Sequence, residues 1–203
     1  MSIEFFLTSL IVVLLPGTGV IYTVSTGLTQ GSKSSIFAVA GCTIGIIPHL
    51  CASIFGVAAI LHTSAVAFQF FKFFGVLYLV YLAWVTWRES GSIEFEPTDK
   101  NIGHLKVSLR GFFINILNPK LSIFFLAFLP QFVVQNSISP LIQMVGLSVV
   151  FMLMTFVVFI GYGVLANQVR HLVISSPKVL QNIQKVFAGA FLGLGLKLAF
   201  TDR

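Results

Sequence analysis

Charge is what this chain has least of: 9% of its 203 residues are charged, and the acids number six. They are Glu4, Glu89, Glu94, Glu96, Asp99 and Asp202, so no carboxylate falls in the middle of a long apolar run, Glu4 standing at the outer edge of the first. A proton-coupled membrane carrier usually buries one. A divalent cation likewise finds neither an oxygen cage nor a cluster of His and Cys, and no metal is expected. Cysteine is almost as scarce. Cys42 and Cys51 stand nine residues apart, about two and a half helical turns, on roughly opposite faces. They read as free thiols rather than a disulfide. Extended polar sequence is also nearly absent, being confined to residues 88–108. No soluble catalytic domain and no cofactor fit in what is left.

What is present is apolar. Hydrophobic residues make up 57% of the chain, and its mean hydropathy is +0.99. A bilayer span takes roughly 20 such residues. Six stretches qualify, about 3–27, 36–62, 66–87, 109–133, 139–167 and 184–201. The start MSIEFFLT carries no Lys or Arg and no Ala-x-Ala-like site follows, so the first stretch reads as a helix, not a cleaved signal. The net charge of +6 reports orientation, not a nucleic-acid partner. Eight of the twelve basic residues lie in the three loops opposite the termini: Lys33; Arg88, Lys100, Lys106 and Arg110; Arg170, Lys178 and Lys185. By the positive-inside rule those loops are cytoplasmic and both termini face outward.

Two of the apolar stretches are interrupted at matching places. Pro16-Gly17-Thr18-Gly19 breaks the first and Asn118-Pro119-Lys120 the fourth. Proline removes an amide and leaves a carbonyl of the preceding turn unpaired. In lipid such a break survives where protein or a watery cavity surrounds it. The expected fold is therefore an all-α membrane protein of six transmembrane helices, a single domain over 1–203. It divides into one repeat at about 1–88, a cytoplasmic linker at about 88–108 and a second repeat at about 109–203. Three helices per half insert the second half upside down relative to the first, the inverted-repeat plan of many transporters, with helices 1 and 4 broken.

Candidate binding residues follow from the breaks. Pro16, Gly17, Thr18 and Gly19 offer loosened backbone and one hydroxyl; Asn115, Asn118, Pro119 and Lys120 offer amides and an ammonium. An ammonium near the bilayer centre costs roughly 2.5–3.5 kcal/mol. Lys120 lies about eleven residues from each end of its span, too deep to reach an interface easily. Its expected task is to attract a substrate carboxylate. His49, after Pro48, is the histidine well inside a span, either a titrating group or a hydrogen-bonded packing residue. Lys72 is placed to snorkel. Gly41-x-x-x-Gly45 and Gly189-x-x-x-Gly193 allow close helix contact and a homodimer. Trp84, Trp87, Tyr78 and Tyr81 read as an interfacial belt, and the 22 Phe residues as packing or lipid-facing groups.

The stretch LRGFFINILNPKLSIFFLAFLPQFV, Leu109 to Val133, resembles the fourth-helix signature of the LysE/RhtB amino-acid exporters of bacterial inner membranes. The first break, GLTQGSKSS, the second helix with His49, FKFFGVLYLVYLAW and GAFLGLGLKLAF extend the resemblance along the chain. Pro16, Gly17, Asn118, Pro119 and Lys120 match the family's motifs. Thr18 stands where the family usually has a second proline. The resemblance implies export of amino acids or close derivatives, driven by the proton gradient, with the broken helices at its centre. Two other classes fit the sequence less well. A thiol electron carrier of the DsbD/CcdA kind needs a cysteine at each break, and there is none. A non-transporting membrane sensor is disfavoured by the short loops.

Overall fold

The computed structural model describes residues 2–15, 17–61, 65–88, 102–134, 139–174 and 177–200. Pro16 and residues 89–101 of the polar linker lie outside the described residues. Every regular element among them is helical. Helix α1 (Ile3–Leu14) begins at Ser2, whose Oγ accepts the Phe5 amide at 3.2 Å, with Glu4 in the favoured first turn. Helix α2 (Thr18–Gln30) departs from α1 at 53°. It stops at Gly31, whose φ of 85° is left-handed, and α3 (Ser32–Ile44) starts at the next residue. The second span thus begins at 32 and not 36, because one glycine makes the corner that a loop was expected to make.

Helix α3 runs through a turn at Gly45 and Ile46 into α4 (Ile47–Leu61), and Ser32–Gly56 is long and apolar enough to cross a membrane. Helix α5 (Ala65–Arg88) follows. Helix α6 (His104–Ile116) and α7 (Pro119–Ile123) meet at the second break. From α7 the chain continues through a π turn (Phe124–Phe128) and a 3-10 turn (Leu129–Phe132), the whole segment bent 52° from α6. Helix α8 (Pro140–Ile174) has 35 residues, about 52 Å at 1.5 Å per residue, of which Pro140–Ala166 is apolar enough to span. Helix α9 (Pro177–Ala199) closes the chain. Two spans are continuous helices, and each bent pair supplies another if counted as one, so up to four qualify among the described residues.

Contacts between named residues give the helix directions. Gly41 faces the Ser108 backbone and Gly45 the Phe112 carbonyl, so α3 runs parallel to α6. Gly19 faces Phe159 and Gly27 faces Gly163, so α2 and α8 are also parallel. Leu79 lies against Gly195 and Trp87 beneath Lys185, so α5 and α9 are antiparallel. The Gly41/Gly45 face is spent on contact inside the chain, as small residues in membranes commonly are. A Cβ added at Gly189 or Gly193 would meet no atom of another element within 4 Å among the described residues.

The core holds stacked aromatics, with the Phe151 ring 4.4 Å from Phe124 and 5.3 Å, edge on, from Phe125. Large apolar side chains also cover the outside: Phe55, Leu153 and Val157 are 73%, 60% and 67% exposed. Such a surface suits hydrocarbon rather than water. Tyr81, Trp84 and Trp87 are exposed near the end of α5, with Arg88 over the Trp84 ring and Lys185 over Trp87. Cations and aromatic rings meet there as they do at a headgroup boundary.

Candidate functional site

The two breaks come together, and a side chain from one half answers the carbonyl that proline orphans in the other. In a continuous helix the Val12 carbonyl would accept the amide of residue 16, but that residue is proline. Lys120 Nζ donates to Val12 O at 3.0 Å and to Leu15 O at 2.8 Å. Tyr162 of α8 donates its hydroxyl to Leu14 O at 2.8 Å. An ammonium at a helix C-terminus also meets the negative end of the dipole. The last turn of α1 is thus capped from α7 and α8.

The second break is built the same way. Pro119 removes the amide that the Asn115 carbonyl would have used. That oxygen accepts the Asn118 amide at 3.0 Å, in a tightened turn, and His49 Nε2 at 3.0 Å. A carbonyl only accepts, so Nε2 carries the proton, and in neutral His49 Nδ1 accepts the Ser122 hydroxyl at 3.1 Å. One turn further along α4, Ser53 donates to the Phe125 carbonyl. In the π register that oxygen looks to residue 130, which is Pro130.

Side-chain amides fix the space between the breaks. Asn118 caps α7, its Oδ1 accepting the Lys120 amide at 3.1 Å, with Pro119 at the first helical position, where a missing amide costs nothing. Its Nδ2 donates to Asn115 Oδ1 at 3.3 Å. Asn115 Nδ2 donates to the Cys42 carbonyl at 2.6 Å. Helix α2 opens at Gly17 with no side-chain cap, leaving its first amides and the positive end of its dipole beside Lys120.

A small cavity lies here. Its polar lining is Gly17, Gly19, Asn115, Asn118, Lys120 and Thr155, and its apolar lining is Val12, Val13, Val20, Leu121, Phe151 and Phe159. At about 10 Å³ it admits one water-sized body and no more. A solute with several heavy atoms enters only if the helices move.

Gly17, Gly19, Asn115, Asn118 and Lys120 of the sequence candidates line one cavity. Thr18 is exposed and not part of the lining, and so is Pro119. His49 is buried behind Asn115, holding the break rather than facing the cavity. Thr155, Phe159 and Tyr162 went unnoticed in the sequence, since α8 is long and apolar throughout. For Thr155 and Tyr162 the one available signal was a hydroxyl or phenol within an apolar span; Phe159 had none. Cys42 is buried and Cys51 exposed, both free.

A chain of apolar helices, bent in two places that close on a lysine and a small cavity, is a membrane transporter in design. A family model for LysE type translocators matches residues 10–202, and the chain belongs to that family; its members translocate solutes and are not enzymes. The chain is 30% identical over 197 residues to an uncharacterized membrane protein of Vibrio cholerae serotype O1, covering 97% of this chain and 95% of that one. It is also 30% identical over 195 residues to a Salmonella typhimurium protein named homoserine/homoserine lactone efflux protein, covering 96% and 94%. No solved structure matches it.

Proposed function

We propose that this protein is a secondary transporter that exports amino acids or close derivatives from the cytoplasm, driven by the proton gradient. It sits in a bacterial inner membrane with both termini outside, as a single domain of two inverted three-helix repeats. The observation that carries this reading is the meeting of both proline breaks at the Lys120 cavity. The parallel pairing of α3 with α6 and of α2 with α8, and the antiparallel pairing of α5 with α9, supports the inverted plan. The name of the Salmonella relative supports an amino-acid-like cargo.

An ammonium has three donors, and Lys120 spends two on α1. The third, with the uncapped amides of α2, receives the cargo's carboxylate. As the carboxylate approaches, Lys120 exchanges the Val12 and Leu15 carbonyls for it. The end of α1 is then released, and one half rocks against the other to open the site outward.

The test is efflux of a panel of radiolabelled amino acids from loaded proteoliposomes, with and without an imposed proton gradient. At least one should leave faster than from protein-free vesicles, and faster still with the gradient. If none does, the assignment is wrong. In the same assay Lys120→Met removes a charge-assisted bond of about 1.5–3 kcal/mol, a drop of about ten- to hundredfold.

A further inference from the structure

The cavity's charges do not match those of an amino acid. Among the described residues of its lining, Lys120 is the one that carries a formal charge. The sequence offers no acid from residue 5 to 88 or from 100 to 201 that a rearrangement could bring in. A carboxylate cargo therefore has a counter-charge, and an α-ammonium has none. A closed site holding a zwitterion keeps one positive charge uncompensated, whereas one holding a simple carboxylate is neutral. Uncompensated charge away from water is costly.

The neutral groups beside Lys120 fit the same conclusion. Asn115 must turn its Nδ2 to the Cys42 carbonyl, so Oδ1 is the end left to accept. Thr155 donates its proton to the Phe151 carbonyl at 2.9 Å, so towards the cavity its oxygen accepts. Both take an O–H as readily as an N–H.

Resting on the exporter reading above, we propose that this site demands the carboxylate and not the amine. It carries 2-hydroxy acids in place of the matching neutral amino acids, and it rejects amino acids with a cationic side chain. The second cation of a lysine cargo would stand against Lys120 with no partner.

The experiment uses the full chain in proteoliposomes. Leucine, threonine and homoserine are compared with 2-hydroxy-4-methylpentanoate, 2,3-dihydroxybutanoate and 2,4-dihydroxybutanoate, with lysine and leucinamide as further probes and protein-free vesicles subtracted. The expected result is efflux of a hydroxy acid at least equal to that of its amino-acid partner, lost in Lys120→Met. Lysine and leucinamide should move at least tenfold more slowly. If an amino acid leaves while its hydroxy acid neither leaves nor competes, the inference falls and the exporter reading stands. Lysine or leucinamide moving as fast as leucine overturns it too. If nothing moves, both readings fall together.

Discussion

Gly19 shows how little room a single position leaves at the site. A Cβ there would lie 2.6 Å from Asn115 Oδ1 and 3.1 Å from the Phe159 ring. Asn115 cannot swing aside without giving up the Cys42 carbonyl. Gly19→Ala should therefore destabilise the protein by about 1–3 kcal/mol and depress efflux, measured by thermal unfolding in detergent and by the vesicle assay. Gly17→Ala is the contrast. Its new methyl meets the end of the Lys120 side chain at 3.1 Å, which can shift, and its φ of −135° suits any residue. Equal damage from both would contradict the geometry. At this scale the sequence showed which residues were out of place in lipid, above all Lys120. It did not show what they touch. An almost wholly apolar helix has no polar face to set its rotation, so nothing marked Lys120 as facing Val12 and Leu15 while Thr18 faces away.

At the scale of the element, the breaks were legible because proline at an apolar centre always orphans a carbonyl four residues back. The partners were not, because they come from other helices. His49 and Ser53 stand one turn apart on α4 and meet two carbonyls that prolines leave without an amide, Asn115 four residues before Pro119 and, in the π register, Phe125 five before Pro130. Pro119→Ala returns an amide to the Asn115 carbonyl and lets α6 and α7 approach a straight helix. Efflux should fall about tenfold or more while stability stays within about 1 kcal/mol of the parent. Unchanged efflux would show that the bend is only packing. Helix edges were harder to read than breaks, since the Gly31 corner occupies one residue where a loop was expected.

For the whole molecule, charge placement predicts an orientation, and the contacts of Arg88 with Trp84 and of Lys185 with Trp87 put both cations at the same end of α5 and α9. Orientation can be checked with Cys42 and Cys51 replaced by Ser. In spheroplasts, a membrane-impermeant maleimide should label Ser2→Cys, and should label Ser92→Cys only after lysis; the reverse pattern would invert the topology. The mutual capping of the breaks bears on synthesis as well. The first half enters the membrane with the Val12 and Leu15 carbonyls waiting for a lysine that has not yet been translated. A nascent chain shorter than 120 residues is therefore an unfinished structure whose first helix lacks its cap. Quality control has a chemical mark by which to recognise it, and two separately made halves should each be short-lived until they find one another.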